Sequence, residues 1–237
     1  MRQSGAPRRQ GGLFLGAGAL VVFLLLGLGV WQVQRLFWKT ALIAHVEQGL
    51  SAAPVPVPGA GEWPSLSYSD WEYRRVTASG HFLALPDTLV KAVTVRGSGF
   101  WVMTPFATPD GTTLFVNRGF IPADRTDPKE RPVPAGQQTI TGLFRVSEPG
   151  GAFLRSNDPA ANRWFSRDTD AMAAARGLDA VAPYFVDLEG DRNGTALPVA
   201  GLTVVSFPNN HLVYALTWFS LAFGLAFLLF RIRRRTG

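Results

Sequence analysis

GLFLGAGALVVFLLLGLGVW, residues 12–31, is a run of 20 residues without a charged or strongly polar side chain. At 1.5 Å of rise per residue, a helix of this length crosses ~30 Å of hydrocarbon. A buried helix of a soluble protein normally keeps one polar face, and this run has none. Working outward, a second uncharged stretch lies near the other end. It is LVYALTWFSLAFGLAFLLF at residues 212–230, with only Tyr214, Thr217, Trp218 and Ser220 as polar handles. The two runs predict a membrane protein with an N-terminal and a C-terminal transmembrane α-helix and about 175 residues of soluble domain between them.

The arginines give the orientation. Arg2, Arg8 and Arg9 precede the first run, and Arg231, Arg233, Arg234 and Arg235 follow the second. Basic residues that flank a span stay on the cytoplasmic side. Both termini are therefore expected inside and residues 32–211 outside. The two tails hold seven of the 23 basic residues and none of the 17 acidic ones, leaving 16 basic against 17 acidic residues elsewhere. The formal charge of +6 is then a topology signal and no sign of a nucleic-acid partner. A signal peptide is the rival reading of the first run. Its apolar region would be shorter and would end in small residues at a cleavage site. Here the run leads instead into Trp31-Gln32-Val33-Gln34-Arg35-Leu36-Phe37-Trp38-Lys39, so an uncleaved anchor is expected.

There is no cysteine. That excludes disulfide staples, thiolate metal sites and covalent haem attachment through C-x-x-C-H. Residues 40–50 read as a short amphipathic helix continuing from the first span, and residues 51–64 (SAAPVPVPGAGEWP) as an extended Pro/Gly linker. From residue 73 the chain is rich in β-branched and aromatic residues between Gly, Pro and Asp. Strands are expected at 76–83, 89–95, 100–106, 112–121, 139–146, 184–188 and 202–207. Pro109-Asp110-Gly111 suits a hairpin turn. Asp168 and Asp170 open a helix that Gly177 closes. The expected organisation is a cytoplasmic tail (1–11), a span (12–31), a helical extension and linker (32–72), a mainly antiparallel-β α+β periplasmic domain (73–208), a second span (209–230) and a basic cytoplasmic tail (231–237).

Both spans gather their unusual residues at the outer end. After the first come Trp31, Gln32, Arg35, Trp38 and Lys39; at the start of the second lie Asn209, Asn210, His211, Tyr214 and Trp218. Antiparallel helices bring the two sets to one membrane level. Trp31, Arg35 and Trp38 share a helical face, as do His211, Tyr214 and Trp218. Two readings stand side by side. Aromatics at a membrane boundary form the interfacial belt, and Arg or Lys there snorkel to the headgroups. Alternatively, an ionisable group at this depth marks a functional site. His211 would then be an axial ligand for haem iron, the tryptophans and Tyr214 would pack on the porphyrin, and Arg35 or Lys39 would pair with its propionates.

Other constellations are weaker. His45 and His81 are isolated and read as surface histidines. Gly97-Ser98-Gly99 reads as a turn, since the helix and third glycine of a dinucleotide loop are missing. No nucleophile elbow is present, and Gly12 with Gly16 forms a single G-x-x-x-G. Asn117-Arg118-Gly119, and Asn157-Asp158-Pro159 with Asn162 and Trp164, read either as turn chemistry or as parts of a partner-docking surface. Arg118, behind Leu114-Phe115-Val116, has a third option: half-buried and paired.

These segments, in order, resemble the surfeit-locus family of cytochrome c oxidase assembly factors. The resemblance is carried by Gly29-x-Trp31-Gln32-x-x-Arg35-x-x-Trp38-Lys39, Arg75-Val76 with Gly80, Val102-x-Thr104-Pro105-Phe106 and Val116-Asn117-Arg118-Gly119-Phe120-Ile121-Pro122. It continues in Gly142-x-x-Arg145, Asn157-Asp158-Pro159 with Asn162 and Trp164, and Asn209-Asn210-His211-Leu212-x-Tyr214-Ala215-x-Thr217-Trp218-Phe219. Phe120 stands where the family often has tryptophan. The resemblance implies a non-enzymatic factor of the bacterial inner membrane that assembles haem–copper oxidase. It implies haem a as cofactor, His211 as its ligand, and oxidase subunit I and the haem a synthesis machinery as partners beside the lipid bilayer. A haem-independent scaffold for oxidase subunits remains the alternative.

Overall fold

The computed structural model describes residues 7–152, 154–203, 205 and 207–236. The first helix, α1 (Pro7–Ser51), runs through the apolar stretch and on through residues 40–50, the helical extension expected to continue from it. Residues 30–48 contain neither glycine nor proline, so nothing in the backbone chemistry stops the helix before Gly49 and Pro54. Its 45 residues make it about 68 Å long.

The chain forms two compact units. One joins α1 as far as His45 to the C-terminal helix α4 (His211–Thr236); the other is Val46–Val205. In the first unit, only 6 % of the apolar window of α1 and 11 % of that of α4 is buried. Their leucines and phenylalanines point outward, as lipid-facing side chains do, and neither is the core helix of a soluble protein. The helices meet through small residues. A methyl group added at Gly18 would lie 2.7 Å from Leu229 Cδ2, and one at Gly29 would lie 2.6 Å from Phe219 Cε1. Ala215 and Ala222 are buried on the opposing helix. Advancing on α1 from 18 to 29 thus retreats on α4 from 229 to 219, an antiparallel pair packed by the small-residue rule of membranes. Gly16 has nothing near it, so the G-x-x-x-G is not what brings α4 close.

The second unit is built on strands β1 (Val55–Pro56), β2 (Arg75–Phe82), β3 (Thr88–Thr94), β4 (Gly97–Ala107), β5 (Thr113–Pro122), β6 (Gln138–Val146) and β7 (Val181–Leu188). Two helices accompany them, α2 (Tyr68–Trp71) before β2 and α3 (Thr169–Arg176) before β7. The sheet order is β1-β2-β6-β7-β5-β4-β3. β2 also pairs with the far end of β4, His81 opposite Ala107 and Phe82 opposite Phe106. Strands β2, β6, β7, β5 and β4 therefore close into a five-stranded barrel, antiparallel except at β5–β7. Closure demands a glycine: a Cβ on Gly80 would fall 2.0 Å from the Ala107 carbonyl oxygen. The hairpin at Pro109-Asp110-Gly111 forms as expected, with Thr108 N–H donating to the Thr112 carbonyl at 2.9 Å and Gly111 at φ +85°. Gly97-Ser98-Gly99 instead belongs to β4, only Gly97 (φ +97°) completing the turn from β3.

The barrel interior holds Val76, Phe106, Leu114, Val116, Phe144 and Tyr184, all nearly inaccessible. Outside the wall, α3 lays Met172 and Ala173 with Trp164 over Met103, Phe115 and Phe185. β5 is covered on both faces, which is why Thr113 through Ile121 are all buried. Asp168 caps α3, its carboxylate accepting from Ala171 N–H at 3.1 Å, and Gly177 ends the helix at φ +62°. The strand expected at 202–207 does not form at residues 202, 203, 205 and 207; the other two lie outside the described residues. Gly201 turns at φ +71°. Val199 takes the place beside β5, exchanging 2.9 Å backbone hydrogen bonds with Phe120. The expected linker is likewise tied down. Val55 pairs with Val76, and Val57 N–H donates to the Thr77 carbonyl at 3.0 Å.

Candidate functional site

His211 is the first residue of α4 and half-buried. Its Nδ1 lies 2.7 Å from Oε1 of Gln32 on α1, a residue only 9 % exposed. An amide oxygen can only accept, so Nδ1 carries the hydrogen, and in the neutral ring the lone pair is on Nε2. This is the arrangement found behind metal-bound histidines, where a fixed acceptor holds the ring by the nitrogen that does not ligate. On the same helix pair, Asn209 Nδ2 donates to Thr40 Oγ1 at 3.4 Å, while the Asn209 Oδ1 is buried and has no hydrogen-bond partner among the described residues.

Trp31, Arg35 and Trp38 come together on α1. The guanidinium of Arg35 sits 4.8 Å from the Trp38 ring centroid and 6.0 Å from that of Trp31. Both rings remain about half exposed, Trp31 at 49 % and Trp38 at 55 %, and Tyr214 is 54 % exposed. Lys39 lies over Phe207 at 4.9 Å. Among the described residues no hydrogen bond or ring contact joins Tyr214 or Trp218 to the Trp31–Trp38 group, and Arg35 has no carboxylate partner. The helix pair thus offers an imidazole with a free lone pair, large exposed aromatic faces and an unpaired cation. That donor set suits a flat, apolar, anionic-edged metal complex such as haem. Among the described residues no cluster of three His, Cys, Asp or Glu exists.

The four polar residues of the β unit make contacts within it. Asn117 is 2 % exposed; its Nδ2 donates to Asp187 Oδ1 at 2.7 Å and its Oδ1 accepts from Gly119 N–H at 3.1 Å. Arg118 is 6 % exposed and donates to the Arg131 and Pro132 carbonyls, with Asp87 3.9 Å away. Burial pulls its pKa below an arginine's ordinary value, the Asp87 carboxylate opposing. Both side chains are enclosed and spent internally, which leaves no accessible face for docking. Asn157 folds its own loop, accepting from Phe165 and Ser166 N–H and donating to Ser166 Oγ. Asp158 pairs with Arg163 at 2.6 Å.

Gln32 is what sequence reasoning quoted but assigned no role. An amide directly after the apolar run, next to Trp31, was the available signal, but Gln34 two residues on looks the same in sequence; only the packing of α4 shows what Gln32 holds. The Asp187 hub was missed entirely. This 2 % exposed carboxylate receives Asn117, Arg145 (2.9 Å), Arg167 (3.3 Å) and Thr203 (2.9 Å), four partners scattered through the chain.

Fold and site together define a membrane protein in which two packed helices, bearing a histidine with one free ring nitrogen, flank a small closed β domain. The SURF1 family model matches residues 19–223. The chain is 35 % identical to Surfeit locus protein 1 of Rattus norvegicus, across 89 % of this chain and 73 % of that one. It is 36 % identical to that of Mus musculus (89 % and 72 %) and 34 % identical to that of Homo sapiens (90 % and 75 %). The chain belongs to the SURF1 family, a family of cytochrome c oxidase assembly factors.

Proposed function

We propose that this chain holds haem a at the outer end of its helix pair and aids its insertion into oxidase subunit I. In this reading it receives the haem from the synthesis machinery, stands in a bacterial inner membrane with both termini cytoplasmic, and carries the β domain on the periplasmic side. The observation that carries the reading is the 2.7 Å contact from His211 Nδ1 to Gln32 Oε1. A ring fixed through Nδ1 presents Nε2, neutral and oriented, to an incoming iron. Bound haem would supply an iron centre that accepts this lone pair. Trp31, Trp38, Tyr214 and Trp218 would cover the macrocycle, and Arg35 would meet a propionate. The flanking arginines support the topology.

The test is the absorption spectrum of the full chain purified from cells that make haem a. Wild type should carry a Soret band that His211→Ala loses. A colourless wild type that still captures oxidase subunits would replace this reading with the haem-independent scaffold. Reporter fusions at Gly99 test the topology: a cytoplasmic signal would overturn it.

A further inference from the structure

Among the described residues of the β domain, the large apolar side chains that stand most exposed are Val93 (84 %), Val95 (82 %) and Leu154 (88 %). They belong to one region. β3 and the turn into β4 carry the two valines, and the 152–155 loop carries the leucine. Val93 also lines an open groove of about 620 Å³, together with Lys91, Phe100, Ala152, Arg155 and Phe165 among others. Lys91 and Arg155 both lie over the Phe165 ring, at 5.5 Å and 5.6 Å. Among the described residues neither cation has a carboxylate partner, and the groove contains no acidic side chain.

β3 is also the free edge of the sheet. Its outer side is met once, where Val90 bridges Trp164 in parallel and Lys91 N–H donates to the Trp164 carbonyl at 2.9 Å. Backbone groups alternate in direction along a strand. Since Lys91 N–H points away from β4, the N–H and C=O of Val93, two residues on, point away as well. After Trp164 its chain turns off, Phe165 N–H and Ser166 N–H going to Asn157. The outer edge therefore starts a parallel pairing that it does not complete. An exposed apolar edge of this kind is one that proteins normally blunt.

We propose that this groove binds an extended, acidic segment of a partner protein, which adds as a strand to the Val93 edge of β3. Main-chain hydrogen bonds to Val93 supply the pairing. Alternate apolar side chains of the segment cover Val93 and Phe165, and its carboxylates meet Lys91 and Arg155. A lipid surface could meet the cations and the valines but has no alternating donors and acceptors for the strand edge, which favours the peptide. This inference does not depend on haem.

The experiment uses the full chain in phosphatidylcholine nanodiscs and a fluorescein-labelled peptide alternating glutamate with valine. The peptide should bind, and its lysine-for-glutamate counterpart should not. Lys91→Glu combined with Arg155→Glu, both surface changes, should weaken binding by about tenfold or more. In the wild type, hydrogen exchange at the Val93 amide should slow when peptide is added. Equal binding of both peptides, no protection at Val93, or unchanged affinity in the double variant would each overturn the proposal. So would protection at Val93 that appears without peptide when phosphatidylglycerol is added to the nanodiscs, since the surface would then be a lipid contact.

Discussion

The helix pair and the β domain treat polar groups in opposite ways. In the domain, the buried carboxylates are closed into networks, and among the described residues one nitrogen, Arg176 Nε, is buried without a hydrogen bond. Asp187 alone receives two guanidiniums, an amide and a hydroxyl. Asp87 receives Arg131 at 3.1 Å and Thr104 at 2.6 Å. On the helix pair, among the described residues, His211 has one side-chain hydrogen-bond partner, the Asn209 oxygen has none, and Arg35 rests on tryptophan faces. Saturated polar groups fix a fold, whereas polar groups with spare capacity at membrane depth are costly and mark function. The contrast assigns stability to the first region and, in the function proposed above, ligand capture to the second.

Four measurements can break or sharpen that division. The largest effect is expected from Asp187→Ala, which takes the buried acceptor from Arg145, Arg167, Asn117 and Thr203 and leaves the two arginines only the more exposed Glu72 and Glu148. It should cost about 3–5 kcal/mol in urea unfolding of the detergent-solubilised chain, and a change within error would remove the hub from the account. Gly119→Ala comes next. Gly119 has φ +133° and its missing Cβ would fall 2.4 Å from Val199 backbone atoms, so a loss of about 3 kcal/mol is expected in the same assay. Gln32→Leu should leave unfolding almost unmoved yet lower haem affinity by about 10–100-fold, the usual cost of losing the group behind a ligating histidine; equal affinity would make the Gln32 contact mere packing. The smallest effect is at Arg163→Ala. The pair it breaks is solvent-exposed, 66 % on the arginine and 37 % on Asp158, and no shift of the unfolding midpoint should be seen. Asp158 itself is held below the ordinary carboxylate range by the Arg163 hydrogen bond and the Ala161 N–H.

What could be read in advance follows the range of the interactions. The spans, the cap of α3 at Asp168 and the turn at Asp110-Gly111 rest on residues within a few positions of one another, and each formed where its chemistry said. Barrel closure between His81 and Ala107, 26 positions apart, depends on register and on the space left by Gly80, which no local pattern announces. Continuation of α1 beyond the apolar run was legible, because residues 30–48 contain no glycine or proline to break the helix. Residues 202–207 show strand composition, yet Val199 takes the place beside β5. At the candidate site, His211, Arg35 and the tryptophans were legible from type and position. The role of Gln32 was not, because it is defined by a residue 179 positions away.

The central claim is that His211 Nε2 is held ready for a haem iron, and a titration addresses it directly. Haem a is added to the haem-free full chain in nanodiscs, wild type and His211→Ala, and the Soret band is followed. The account predicts saturable binding by wild type, and for the variant an affinity lower by about 100-fold or more with unfolding of the β domain unchanged. The same affinity and the same spectrum in both proteins would contradict it.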